Sequence, residues 1–186
     1  SGGRTPFVDA LFTATSAVCV TGLIVVDTGT YWSTFGQIVI IALIQMGGLG
    51  IMTMSTLIAF IIGKRITLRE RVLMQEAFGG WSLSGLVRLT RQVLLITLVI
   101  EGIGAIILVF DFPWPKAIYY GIFHAISAFC NAGFDLFTTS LVRWNSDPVV
   151  ILTIGGLIIF GGLGFTVISD LLRNRGKWSK LSLHTK

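Results

Sequence analysis

Two short stretches carry the residues best suited to chemistry, and in both the chemistry belongs to the main chain. Ser16-Ala17-Val18-Cys19-Val20-Thr21-Gly22-Leu23 and Ser127-Ala128-Phe129-Cys130-Asn131-Ala132-Gly133-Phe134 each run from apolar sequence to a glycine. Glycine lets a backbone adopt dihedrals that other residues avoid. An extended segment freed in this way can aim carbonyl oxygens at one axis and replace a cation's hydration shell. The candidate coordinating residues are Val20, Thr21, Gly22 and Leu23, with Asn131, Ala132, Gly133 and Phe134. The carbonyls of Val20, Thr21, Asn131 and Ala132 would hold the ion. A plainer alternative makes Gly22 and Gly133 turn residues only, but their matched places after matched apolar runs favour coordination.

Other side chains carry weaker signals. Glu101 stands alone midway along an apolar stretch. An intramembrane carboxylate is a functional candidate by default, and the alternative is a hydrogen-bonded packing residue between helices. His124 has no second histidine nearby and reads as a buried hydrogen-bonding residue rather than a metal ligand; His184 lies in the closing basic tail. Cys19 and Cys130 read as small apolar residues just ahead of the glycine segments. Gly47-Gly48-Leu49-Gly50 and Gly161-Gly162-Leu163-Gly164 resemble phosphate loops only superficially. They lack the strand–loop–helix context, and close packing of spanning helices on small residues explains them better.

The elements that must position these residues are membrane helices. Hydrophobic residues make up 53% of the 186 and charged residues 12%, about half the usual share for a soluble chain. Mean hydropathy is +0.83. A soluble enzyme, a nucleic-acid module and a disordered tail are disfavoured. Residues 28–63 form 36 consecutive positions without Asp, Glu, Lys or Arg, and about 20 apolar residues suffice to cross the hydrocarbon. Three spanning helices are expected, over Phe35–Ile62, Gln92–Phe110 and Val149–Ser169. Pro6–Ser16 and Ala117–Ala128 are too short to span and read as re-entrant pore helices that dip in and turn back. Such a helix carries about −0.5 of an elementary charge at its C-terminal end, which favours a cation there.

Eleven of the 14 basic residues cluster at 64–71, 88–91 and 173–186, with three acidic neighbours; the opposite side has three basic and five acidic residues. The basic side should be cytoplasmic, and the pore helices then enter from outside. This distribution accounts for the net charge of +5 without nucleic acid. Trp32, Trp81, Trp114, Trp144 and Trp178 fall near the expected boundaries, as interfacial aromatics do. No signal-peptide pattern is present, and a start at Ser1 reads as part of something longer.

An internal repeat joins these features. A shift of 111 residues places Phe12, Ala14, Ser16, Ala17, Cys19 and Gly22 on Phe123, Ala125, Ser127, Ala128, Cys130 and Gly133. A shift of 114 places Ile40, Leu43, Ile44, Gly47, Gly48, Leu49 and Gly50 on Ile154, Leu157, Ile158, Gly161, Gly162, Leu163 and Gly164. The unit is spanning helix, pore helix, glycine loop, spanning helix. Repeat one, over 1–91, lacks its first helix; repeat two, over 92–186, is complete. Both copies have one orientation, which suggests a pore on their shared axis.

The two glycine stretches, with Asp27-Thr28-Gly29-Thr30 and Leu181-Ser182-Leu183-His184-Thr185-Lys186, resemble the Trk/Ktr/HKT superfamily of cation transporters, and most nearly the membrane subunit of bacterial Ktr systems. The resemblance covers essentially the whole chain. It implies an all-α integral membrane fold with four parallel helix–pore loop–helix repeats around one cation pore, each with one filter glycine. It implies transport of K⁺, with Na⁺ as the alternative, in the plasma membrane and without enzymatic activity. It further implies a homodimer of the full-length subunit on a cytosolic nucleotide-binding regulatory ring, near which Lys64–Arg91 is expected to lie. No cofactor is expected in this chain, and nucleotide would sit only on the separate ring. Repeats three and four, including the third repeat's gating loop, would lie beyond Lys186. A membrane-embedded enzyme lacks a supporting constellation, since Glu101 stands alone and His124 has no nearby acid or nucleophile. A non-conducting structural subunit would leave the paired glycine loops without a purpose.

Overall fold

Pro6 sets the chain at the mouth of the first apolar run, and helix α1 follows over Phe7–Val18. The computed structural model describes residues 5–50 and 83–163, with side chains over 5–50 and 91–163. After α1 come a single turn, α2 (Thr28–Tyr31), and helix α3 (Thr34–Gly48). Helix α4 (Leu83–Asp111), helix α5 (Ala117–Phe129), a 3₁₀ turn (Ser140–Trp144) and helix α6 (Pro148–Gly162) complete the order. No β-strand occurs among the described residues, as expected for an all-α chain.

Side-chain caps fix several helix starts. Asp27 accepts from the Thr30 N–H at 2.8 Å, and Ser33 accepts from the Gly36 N–H at 3.3 Å. Asp147 accepts from the Val149 and Val150 N–H groups, with Pro148 opening the helix. Each cap satisfies N–H groups that a helix start leaves without a carbonyl.

Of the expected spans, Gln92–Phe110 lies wholly within the described residues and within α4. Its Arg91–Asp111 section has 21 residues and a mean hydropathy of 2.8, and it is the one helix among the described residues long and apolar enough to cross a membrane. Helix α4 begins at Leu83, inside the connection expected over Lys64–Arg91. Arg88 and Arg91 mark where hydrocarbon should end; a charged, proline-free sequence can still continue the helix. Helices α3 and α6, of 15 residues each, correspond to the first parts of the other two expected spans. Residues 51–62 and 164–169 of those spans, most of Lys64–Arg91 and the tail after 173 lie outside the described residues.

Helix α4 shows how the sequence sorts its faces. Val93, Thr97, Glu101, Ala105 and Leu108 are buried, at helical spacing. Leu95, Leu98, Val99, Ile103 and Ile106 are exposed. An outward face this apolar suits lipid rather than water as solvent. Helix α1 packs on α3, while α5 packs on α4, α6 and α3. Phe123, Ile44, Leu108 and Val150 are the large residues at the centre of this packing.

Candidate cation-coordinating site

The ends of α1 and α5 are built alike, bond for bond. In the first, the Val20 N–H donates to the Ala17 carbonyl at 3.2 Å and the Thr21 N–H to Ser16 at 2.9 Å. In the second, Asn131 donates to Ala128 at 3.0 Å and Ala132 to Ser127 at 2.8 Å. This paired closure uses carbonyls that a helix end leaves open, and it turns the chain through a left-handed residue. Those residues are Val20, with φ +54°, and Asn131, with φ +59°. Gly22 and Gly133 follow at φ +78° and +72°. The Ser16 hydroxyl then donates to the Leu23 carbonyl at 2.7 Å, and the Ser127 hydroxyl to the Phe134 carbonyl at 2.5 Å. Each loop is thus folded back on its own helix over seven residues.

The two loops meet at their glycines. A Cβ on Gly22 would stand 2.5 Å from the Ala132 carbonyl oxygen and 3.3 Å from the Gly133 Cα. A Cβ on Gly133 would have only the Gly22 Cα near it, at 3.6 Å. Among the expected site residues, Val20, Thr21, Gly22 and Leu23 therefore form one loop whose glycine touches the loop of Asn131, Ala132, Gly133 and Phe134. A cavity of about 230 Å³ borders the second loop, lined by Asn131, Gly133, Phe134 and Asp135 together with His124.

The glycine pairs of α3 and α6 support these loops. A Cβ on Gly47 would collide with the Val18 carbonyl, and one on Gly161 with the Phe129 carbonyl. Gly48 lies against the Cys130 side chain. The close packing expected of these glycines is present, but its partner is the end of a short helix, α1 or α5, and not another of the expected spans. Sterically the reason is direct: α1 and α5 end where α3 and α6 pass, and only a bare Cα leaves room for the last carbonyl.

His124 is 3% exposed. Its Nδ1–H donates to the Tyr120 carbonyl at 2.7 Å, and its Nε2 accepts from the Leu136 N–H at 3.5 Å. It stacks on Phe137 with ring centroids 4.8 Å apart. Both ring nitrogens serve the fold, as a hydrogen-bonding residue should. Trp144 is not simply interfacial, because it packs on Phe112 and Phe137 and donates to the Asp111 carbonyl at 3.2 Å. Cys130 is buried, whereas Cys19 is exposed. Glu101 is 6% exposed. Its Oε2 accepts from Gln45 Nε2 at 3.4 Å, and Gln45 Oε1 accepts from the Cys130 thiol at 3.8 Å. Glu101 Oε1 has no hydrogen-bond partner among the described residues.

Beyond the first loop, burial acts to raise the Asp27 carboxyl. Hydrogen bonds from the Thr30 N–H and hydroxyl, the Thr138 hydroxyl and the Gly29 N–H outweigh it and hold the group below its ordinary value. No cluster of three or more metal-ligating side chains occurs among the described residues. Ser16 and Ser127 emerge as site-building residues that the sequence placed in the repeat without a role. A polar residue at the same place in two short apolar helices was the available signal.

Apolar outward faces and one helix among the described residues long and apolar enough to span fit a membrane protein. The sequence profile of the TrkH family, described as cation transport protein, matches residues 1–184, and the chain belongs to that family. It is 49% identical to the Ktr system potassium uptake protein B of Bacillus subtilis (strain 168), over 97% of this chain and 41% of that protein. The Ktr system potassium uptake protein B of Vibrio alginolyticus is 46% identical, over 96% of this chain and 40% of that protein. The potassium/sodium uptake protein NtpJ of Enterococcus hirae is 45% identical, over 100% and 42% respectively. The chain spans less than half the length of these relatives.

Proposed function

We propose that this chain forms two of the four filter loops of a K⁺ uptake protein, with Na⁺ as the alternative ion. The carrying observation is the contact of Gly22 with Gly133 at the ends of two identically closed helices. Carbonyls of Val20, Thr21, Asn131 and Ala132 coordinate a dehydrated cation, and the C-terminal ends of α1 and α5 add negative potential. The serine hydroxyls engage the carbonyls of Leu23 and Phe134, which fixes where each coordinating segment ends. Residues 1–91 and 92–186 act as parallel repeats around the pore, and the function is transport rather than catalysis. The protein resides in the plasma membrane with its filter loops outside and its basic segments cytoplasmic. The full-length subunit works as a homodimer on a cytosolic nucleotide-binding ring that contacts Lys64–Glu76, and the relatives' designation as parts of a Ktr system supports such partners.

Substitution at Gly133 tests the filter. Space exists for a small side chain there, but the left-handed φ of +72° disfavours one. Gly133→Ser should therefore shift the loop dihedrals and add a competing hydroxyl without a steric collapse. In the full-length protein it should lower the K⁺/Na⁺ uptake ratio more than it lowers abundance. An unchanged ratio at matched expression would place the filter elsewhere.

A further inference from the structure

Gln37 belongs to neither filter loop, yet its buried side-chain amide has four polar partners. It is 7% exposed and sits in the 36-residue stretch without charge. The two hydrogens on its Nε2 are shared among the carbonyls of Thr28, Gly29 and Trp32, at 3.2, 3.1 and 3.0 Å. Its Oε1 accepts from the Tyr119 hydroxyl at 2.7 Å. Three carbonyls on one side and a hydroxyl on the other leave one sensible orientation for the amide. The three carbonyls belong to the segment that follows the first filter loop. Tyr119 lies in the first turn of α5, the helix that leads into the second loop.

The same segment meets the far end of the second loop. Gly29 lies so close to the Leu136 carbonyl that no Cβ would fit. The Asp27 carboxylate accepts from the Thr138 hydroxyl. The chain leaving the first loop is thus tied both to the start of α5 and to the chain leaving the second loop. Of these ties, the Gln37–Tyr119 bond joins two side chains at 2.7 Å, one of them buried.

We infer that Gln37 and Tyr119 form a latch that sets the spacing between the two filter loops, and so act as positioning residues for ion discrimination. The inference rests on the filter reading above. Discrimination by a ring of carbonyls depends on how many oxygens reach the ion and how firmly they are held. A latch that fixes one loop against the next governs both, without touching the ion.

Tyr119→Phe removes one hydroxyl and keeps the ring. Gln37→Leu removes the whole hub. Thr13→Val is the control, because the Thr13 hydroxyl is also buried but donates within α1, to the Asp9 carbonyl at 2.8 Å. K⁺ and Na⁺ uptake are measured for each in the full-length protein at matched abundance, beside Gly133→Ser. Tyr119→Phe should lower the K⁺/Na⁺ ratio by about threefold to tenfold, the scale of one lost hydrogen bond. Gln37→Leu should lower it at least as far, the double variant no further than Gln37→Leu alone, and Thr13→Val should leave it intact. If Gly133→Ser changes the ratio while Tyr119→Phe and Gln37→Leu do not, the latch is wrong and the filter stands. An equal effect from Thr13→Val would reduce the latch to general packing and overturn it. If Gly133→Ser also leaves the ratio intact, the filter placement fails and the latch falls with it. Should Gln37→Leu not accumulate, Tyr119→Phe alone decides between these outcomes.

Discussion

Val20 and Asn131 hold the same left-handed conformation, and only asparagine is suited to it. A β-branched residue there costs on the order of 1–2 kcal/mol, so the close of α1 is strained at Val20 where the close of α5 at Asn131 is not. The glycines of both loops were legible in the sequence because glycine advertises unusual dihedrals. Val20 was named as a coordinating residue, but its conformation was not legible, because valine signals extended backbone and is overridden here by the paired closure of the helix end. Glu101 was legible as an oddity and not as a contact. Its partner Gln45 is 56 positions away in sequence, and no local pattern joins them. That partnership makes a prediction. Glu101→Gln keeps an oxygen for Gln45 Nε2, whereas Glu101→Ala strands the half-buried Gln45 amide, a loss of about 1 kcal/mol. Thermal unfolding in detergent should show Glu101→Ala clearly destabilised and Glu101→Gln close to the parent. Equal destabilisation would mean that the carboxylate matters for something other than this bond.

At the scale of elements, the boundaries of the short helices were the most legible feature. Expected over Pro6–Ser16 and Ala117–Ala128, they occupy Phe7–Val18 and Ala117–Phe129, because proline before and glycine after punctuate them. The single turn α2 and the 3₁₀ turn over Ser140–Trp144 were not legible. Each is too short to show a period, and Asp27 creates the first of them by a local cap. The glycine pairs were legible as packing signals, but their partner was not, since only the three-dimensional path brings α6 across the end of α5. From that path, Gly161→Ser must push the Phe129 carbonyl away. Gly47→Ser must do the same to the Val18 carbonyl. Both substitutions should reduce the amount of folded protein recovered by size-exclusion chromatography, and Gly155→Ser, where a Cβ meets open space, should not. Recovery of Gly161→Ser at parental levels would show that α5 and α6 are not in register as described.

For the whole molecule, charge and hydropathy have to be reconciled on one axis. Helix α4 carries Arg88 and Arg91 near its start and Asp111 at its end, with a lipid-suited face between them. Arg91 and Asp111 bound 21 residues, about 30 Å at 1.5 Å per residue, the thickness of the hydrocarbon. In the proposed topology the two ends lie on opposite sides of the membrane. Helix α5 returns from the Asp111 side and packs along α4, yet its 13 residues cannot reach the far side. In the same proposed topology its loop ends at membrane depth, where irregular backbone is tolerated only against protein or a water-filled path. The proposed orientation rests on the eleven basic residues grouped in the sequence at 64–71, 88–91 and 173–186, because such residues are retained in the cytoplasm. Single cysteines in the full-length protein test this with a membrane-impermeant thiol reagent on intact cells. Cys19 is exposed, so Cys19 and Cys130 must first be replaced to give a silent background. A cysteine at position 30 or 143 should label from outside, and one at position 69 only after the membrane is opened. Labelling of position 69 in intact cells would invert the topology, and the filter loops would then face the cytoplasm.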